Sequence, residues 1–154
     1  MNKEKKIVST IISASWIFTA NSDNQLLENH SIVINEGLIV DILQSANVFD
    51  FYQADDVYQL TNQLLIPGLI NAHTHLGMTL LKGFADDLSL SVWLNEHIWP
   101  AEKNFVSPQF VSDGSRLAMA EMLKSGITTF NDMYFYPQST AEVANEVGMR
   151  AKMA

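Results

Sequence analysis

Apolar residues in the first part of the chain recur with the short period that is typical of β-strands. Residues 7–19 predict one or two strands. The apolar runs 31–35 and 38–43 flank Glu36-Gly37, which is a turn signal, so these runs predict a β-hairpin. The same pattern places the remaining short strands at 57–60 and 64–66, and polar loops at 21–29 and 45–56.

Beyond Pro67 the pattern changes to strands that alternate with helices. Pro67-Gly68 interrupts the chain, and the run 69–75 predicts a new strand. Ser107-Pro108 predicts the start of a helix, because a capping serine is followed by proline at the first helical position. Gly126 is predicted to end that helix, and a strand is predicted over 127–133. A capping box at 139–142 predicts a second helix, which ends at Gly148, and a further strand begins at 149.

The stretch between the first of these strands and the long helix is predicted to be irregular. Residues 76–88 predict a loop, and Ser89 can cap a short helix that Trp99-Pro100 would end. The resulting order β-α-β-α-β predicts an α/β fold with a parallel sheet and right-handed crossovers.

Composition indicates a globular protein and narrows the classes of partner. The 154 residues are 47% apolar and 17% charged, and the formal net charge is −8. This acidic balance argues against binding of nucleic acid or of an anionic membrane through a basic surface. There is no cysteine, so a metal would have to be held by histidine and carboxylate. No apolar run is long enough for a transmembrane helix, and a cytoplasmic location is expected.

His73 and His75, at the end of the predicted strand 69–75, are the leading candidates for chemistry. Alternate residues of a strand point to one face, with Cα atoms about 6.5–7 Å apart. Two imidazoles at that spacing can bind one metal ion. The apolar neighbours Leu69 and Ile70 indicate that the strand is buried. The alternative is a pair of buried strand histidines without a metal.

Residues 64–75 resemble the first barrel strand of the amidohydrolase superfamily, which binds metal. Three longer strings are similar to its methylthioadenosine/S-adenosylhomocysteine deaminase branch: GFADDL at 83–88, WLNEHIWPAE at 93–102 and FNDMYF at 130–135. The resemblance implies a TIM-like (β/α)8 barrel, which needs about 250 residues. We therefore expect residues 67–154 to form about the first three barrel strands of a longer enzyme, and residues 1–66 to form a small β-sandwich-like unit before it.

The resemblance also implies an activity and roles for three residues. The activity would be hydrolytic release of ammonia from an adenine nucleoside, with methylthioadenosine or S-adenosylhomocysteine as the small-molecule substrate. His73 and His75 would bind one divalent metal, with zinc expected and iron as the other option, and Glu102 would bind substrate through the ribose hydroxyls. The further ligands and the proton shuttle are expected beyond Ala154, so no residue of this chain is assigned a catalytic role. A homo-oligomer is one option for the parent protein, whose oligomeric state the sequence leaves open.

Other assignments compete with these. A neighbouring amidohydrolase that acts on triazines or guanine would use the same first strand, and a truncated, non-catalytic product is the alternative outside the enzymes. Glu102 could instead be a solvated glutamate beside Lys103. The residues given no direct role, or at most a supporting one, are His30, Phe84, Asp86, Asp87, Trp93, His97, Trp99 and Asp132.

Overall fold

The computed structural model describes residues 4–154, which divide into two compact units. The first unit ends at Pro67 and the second begins at Gly68. The unit predicted over 1–66 also includes residues 1–3, which lie outside the described residues. None of the helices in the described part of the chain combines the length and apolarity needed to span a bilayer.

The first unit is built on one four-stranded sheet. Its strands are β1 (Lys6–Phe18), β2 (Leu26–Asn35), β3 (Leu38–Gln44) and β4 (Tyr52–Leu65), in the order β3-β2-β1-β4. β1 and β2 pair antiparallel, as do β2 and β3, whereas β1 and β4 are parallel. Glu36 and Gly37 both have positive φ, at 51° and 77°, which confirms the predicted hairpin turn.

Several predicted loops of this unit belong to strands or helices. Residues 26–29 lie in β2 and residues 52–56 lie in β4, because both segments form ladder hydrogen bonds with β1 while their polar side chains face outward. A short 3₁₀ turn (Ser45–Asn47) and α1 (Val48–Phe51) precede β4. The two strands predicted over 57–66 form one strand, with a residue of positive φ at Asn62.

The core of the first unit lies on the faces of β1 and β2. Ile11 and Val33 are fully buried together with Val48 of α1. A single sheet is observed among the described residues of this unit, so a sandwich, which requires a second sheet, is not confirmed.

The second unit has the predicted β-α-β-α-β order. Its strands are β5 (Leu69–Thr74), β6 (Ile127–Asp132) and β7 (Arg150–Met153), all parallel, in the order β5-β6-β7. Between β5 and β6 the chain forms a 3₁₀ helix (Leu76–Leu81), α2 (Leu90–Val92), a π-helical turn (Trp93–Ile98), α3 (Trp99–Phe105) and α4 (Pro108–Lys124). The last helix, α5 (Pro137–Val147), connects β6 to β7.

Some of the predicted helix boundaries are confirmed. The Ser107 hydroxyl accepts a hydrogen bond from the Phe110 amide over 3.2 Å, and Gly126 and Gly148 follow their helices with positive φ. The capping box at 139–142 is wrong, because α5 begins at Pro137. Thr140 lies inside that helix, where its buried hydroxyl contacts the Ser115 hydroxyl at 3.1 Å.

Two predictions for the segment after β5 are also wrong. Residues 76–81 form a 3₁₀ helix rather than a loop. Pro100 does not end a helix, since helical structure continues through α3 to Phe105. Pro100 lies in the first turn of α3, directly after the π-helical turn, and proline is tolerated in the first turn of a helix.

The expected burial of the β5 strand is not observed. Leu69 is 50% exposed and Ile70 is 70% exposed. β5 is the edge strand of the sheet, whereas helices α4 and α5 cover β6 and bury Phe130 with Met119 and Val143. The core of this unit therefore lies under β6, and the carboxyl end of β5 is accessible.

Candidate functional site

The two histidines at the end of β5 converge on one point. His73 lies within the strand and His75 directly follows it, and their Nε2 atoms are 3.2 Å apart. The rings meet almost perpendicularly, with centroids 5.0 Å apart. The alternation of side chains along a strand places both rings on one face, as the sequence predicts.

A backbone carbonyl fixes the orientation of the His75 ring. His75 Nδ1 lies 2.6 Å from the carbonyl oxygen of Met133, the residue that follows β6. A carbonyl can only accept, so Nδ1 carries the hydrogen and donates it. In the neutral ring Nε2 is then an acceptor, which is the form that binds a metal.

The geometry of this pair fits a zinc ion. Two nitrogens that each lie about 2.0–2.1 Å from a tetrahedral zinc are about 3.3 Å apart, and the two Nε2 atoms are 3.2 Å apart. Imidazole is a preferred zinc ligand. Within residues 4–154, no three metal-binding side chains come together, so the pair stands without a third such side chain in this part of the chain.

Asp132 supports the same strand end from β6. It is only 2% exposed, and its Oδ1 accepts hydrogen bonds from the Thr74 hydroxyl at 2.9 Å and from the Leu76 amide at 2.8 Å. These two partners lie on either side of His75. The carboxylate therefore holds the backbone that carries the histidine.

A cavity of about 580 Å³ adjoins this end of the sheet. His75, Glu102 and Tyr134 supply its polar groups. The remaining walls are largely aromatic or aliphatic, and include Trp93, Leu94, Ile98, Trp99 and Phe135. A mostly apolar cavity with few polar groups is typical of a small-molecule site. Trp93 and Trp99, given no direct role from the sequence, thus form part of the cavity wall.

Glu102 accepts a hydrogen bond inside this cavity. The Tyr134 hydroxyl donates to Glu102 Oε1 over 2.8 Å. Burial raises the pKa of Tyr134 well above its ordinary value, and the hydrogen bond to Glu102 raises it further. Glu102 is therefore held by a neutral phenol. Sequence reasoning missed Tyr134, although its place directly after the carboxyl end of a predicted strand was a usable signal.

The remaining candidates lie apart from the histidine pair. The His97 ring packs edge-on against Phe84, with centroids 6.4 Å apart. His30 belongs to the first unit, where its Nδ1 contacts the Glu28 carbonyl at 2.8 Å. Asp86 and Asp87 lie in the irregular segment before α2. Among the described residues, none of these side chains joins the histidine pair in a group that could hold a metal ion.

Comparison with known sequences gives consistent matches. Residues 64–154 match the sequence profile described as the Amidohydrolase family. The chain is 49% identical over 143 residues to a 5-methylthioadenosine/S-adenosylhomocysteine deaminase of Saccharophagus degradans, which covers 93% of this chain and 32% of the relative. It is 42% identical over 144 residues to a 5'-deoxyadenosine deaminase of Methanosarcina acetivorans, and this match covers 94% of this chain and 32% of the relative. The chain therefore spans about a third of the length of these curated relatives.

Comparison with solved structures agrees with this result. An adenosine deaminase from Xanthomonas campestris with bound zinc superposes with a TM-score of 0.93 at 39% identity, over 96% of this chain and 34% of the other. The guanine deaminase of E. coli superposes with a TM-score of 0.75 at 20% identity, over 94% and 36%. At that identity the second match shows the fold alone.

Proposed function

Because this chain belongs to the amidohydrolase family, we propose that it is the metal-binding and ribose-binding part of a hydrolytic deaminase of adenine nucleosides. The observation that carries the proposal is a pair of imidazole nitrogens 3.2 Å apart, next to a cavity that also contains a held carboxylate. The reaction is the replacement of the adenine amino group by oxygen from water, with release of ammonia.

His73 and His75 hold the metal in this proposal. Zinc is the preferred ion, supported by the zinc in the Xanthomonas structure and by the spacing of the Nε2 atoms, and iron is the other option. When bound, the metal supplies a Lewis acid and makes water a nucleophile at neutral pH. The chain's own contribution is orientation, since Met133 fixes the tautomer of His75 and Asp132 fixes the backbone around it.

The substrates in this proposal are 5'-deoxyadenosine and its 5'-thioether derivatives. The relatives are named for methylthioadenosine, S-adenosylhomocysteine and 5'-deoxyadenosine, which differ at the 5' carbon but share the adenine ring and the 2',3'-diol. A site that accepts all three must recognise the shared parts. Glu102 can accept both hydroxyls of the diol, and the aromatic walls formed by Trp93 and Trp99 suit a planar base.

The rest of the site lies outside this chain in the proposal. The three parallel strands are the first strands of a (β/α)8 barrel, and the four-stranded sheet is part of a β-sandwich-like unit completed elsewhere. The additional metal ligands and the groups that move protons belong to later strands. The chain's span of about a third of its relatives supports this division.

Two alternatives make different predictions. A triazine or guanine hydrolase shares the fold, but its substrate has no ribose, so Glu102 would have no diol to bind. A non-catalytic product would bind metal weakly and release no ammonia from any of these compounds. Among the solved structures, the identity of 39% to the adenosine deaminase against 20% to the guanine deaminase favours the nucleoside substrate.

The test measures ammonia release by the complete, metal-loaded protein. We expect turnover of methylthioadenosine, S-adenosylhomocysteine and 5'-deoxyadenosine to exceed that of guanine or a triazine by at least about 100-fold in kcat/KM. Guanine or a triazine as the best substrate would replace the proposal with the neighbouring class. Absence of turnover on every compound in a fully metallated protein would favour the non-catalytic alternative.

A further inference from the structure

We infer that Tyr134 is a positioning residue, which fixes the Glu102 carboxylate in the orientation that accepts the ribose hydroxyls. The inference rests on the proposed role of Glu102. Tyr134 follows β6 and Glu102 lies on α3, so their 2.8 Å hydrogen bond joins two elements that are distant in sequence. Both residues line the cavity that contains His75.

The hydrogen bond leaves Glu102 free to bind a diol. An ionised carboxylate offers about four lone-pair positions, and the phenol occupies one of them on Oε1. The positions on Oε2 and the second one on Oε1 remain for two vicinal hydroxyls. A long glutamate side chain loses rotamer freedom when it is fixed, so fixing it before the substrate arrives lowers the entropy cost of binding.

The phenol ring is itself held in place. Gly77 lies so close to it that a Cβ at this position would be 2.5 Å from Cε1 of Tyr134. The Phe135 ring packs edge-on against it, with centroids 5.1 Å apart. Glycine at position 77 thus provides the space for the ring, and the ring directs the hydroxyl at Glu102. Gly77 follows His75 by two residues, so one short segment serves both the histidine and the phenol.

The test compares Tyr134→Phe with wild type in the complete, metal-loaded protein. The variant retains the ring and removes only the hydroxyl. We expect KM for methylthioadenosine to rise roughly tenfold, with kcat changed by less than about twofold, and no comparable rise for the 2',3'-dideoxy analogue. Tyr58→Phe, which removes the hydroxyl of an exposed tyrosine of β4, is the matched control and should leave KM and kcat unchanged.

Binding without turnover provides a second measurement. Trp93 and Trp99 line the cavity, so tryptophan fluorescence should report titration of the metal-stripped protein with methylthioadenosine. We expect the Kd of Tyr134→Phe to rise by the same factor as KM. Gly77→Ala, which displaces the ring but keeps the phenol, should give the same selective loss.

A double-mutant cycle separates positioning from a general structural role. In a Glu102→Ala background, Tyr134→Phe should cause no further loss on methylthioadenosine. Equal losses on the diol and the dideoxy analogue, or a fully additive loss in that background, would overturn the inference. If Glu102→Ala does not discriminate between diol and analogue, the ribose role of Glu102 fails first. If Glu102→Ala discriminates between the diol and the analogue but Tyr134→Phe does not, the positioning role of Tyr134 is wrong and the ribose role of Glu102 stands.

Discussion

His75 donates its Nδ1 hydrogen to the carbonyl oxygen of Met133 over 2.6 Å. One residue earlier, the Asp132 carboxylate binds Thr74 and Leu76, the two neighbours of His75. The end of β6 thus holds both the ring and the backbone of this histidine, while His75 Nε2 remains directed at His73. In metal sites generally, removing contacts that orient a ligating histidine lowers metal affinity about 10- to 100-fold.

The Asp132 contacts predict different effects for two substitutions. Asp132→Ala removes the acceptor of both hydrogen bonds and leaves the Leu76 amide without its partner, so we expect zinc affinity to fall about 10- to 100-fold. The free energy of unfolding should fall by about 1–3 kcal/mol. Asp132→Asn keeps an oxygen at the Oδ1 position, so its zinc affinity and its free energy of unfolding should fall much less. Zinc competition with a chelator and urea unfolding of the complete protein measure the two effects.

Asp87 offers the matched control for that comparison, since it is an exposed aspartate of the same unit. Asp87→Asn should leave zinc affinity and unfolding unchanged. Equal losses for Asp132→Ala and Asp132→Asn would mean that the negative charge, rather than the acceptor geometry, is what matters. That result would refute the role of the Asp132 carboxylate as a geometric acceptor for Thr74 and Leu76.

The histidine pair predicts loss of metal. If the two histidines bind the metal of an open catalytic site, which uses few protein ligands, His73→Ala or His75→Ala in the complete protein should remove most bound zinc and nearly all turnover. Atomic emission after dialysis measures the loss of zinc independently of the loss of turnover. His97→Ala is the control, because His97 packs against Phe84, away from the pair. Retention of stoichiometric zinc in either ligand variant would contradict the assignment.

Tyr52 predicts a pH dependence in the first unit. This buried phenol donates to Asp41 Oδ2 over 2.7 Å, and the hydrogen bond, with burial, raises its pKa above the ordinary value of 10.0. The folded state therefore holds the proton more tightly. Its stabilisation is complete below pH 10.0 and is lost as pH rises through the higher folded pKa.

Urea unfolding across that range should separate Tyr52 from other phenols. As the pH rises above 10.0, the free energy of unfolding should fall more steeply in wild type than in Tyr52→Phe. Tyr58→Phe, at an exposed position of β4, should retain the wild-type slope. An identical slope in wild type and Tyr52→Phe would show that the Asp41 contact does not control this titration.

Local signals predict the second unit well because they act over a few residues. Ser107 at the start of α4, and Gly126 and Gly148 after their helices, fix boundaries through contacts within one turn. The continuation of β4 through Asn62 and its parallel register with β1 depend on strand pairing. No short-range pattern encodes those features, so sequence reasoning does not find them.

The same distinction holds for the site. The convergence of His73 and His75 follows from the two-residue period of a strand and is predictable. Their partners Met133 and Asp132 come from the end of β6, and they meet β5 only because Thr74 pairs with Asp132 in the parallel register. The sequence pattern therefore predicts the histidine pair, whereas the strand register brings in the groups that orient it. The bond between Tyr134 and Glu102 likewise depends on the path of the helical segment between the strands.

The last prediction concerns Glu102 and the choice between substrate classes. If its carboxylate binds the ribose hydroxyls, Glu102→Gln in the complete protein should weaken use of methylthioadenosine by about 1.5–3 kcal/mol, the range for a hydrogen bond to a charged group. This is roughly a 10- to 100-fold loss in kcat/KM. The loss should shrink for the 2',3'-dideoxy analogue, which cannot make this contact with either the wild type or the variant. The zinc content of the variant should equal that of the wild type. Glu96→Gln, an exposed position on the preceding turn, is the control. A variant that loses the same factor on both substrates, or loses its zinc, would make Glu102 a structural glutamate held by Tyr134 and remove the support that this residue gives to a nucleoside substrate.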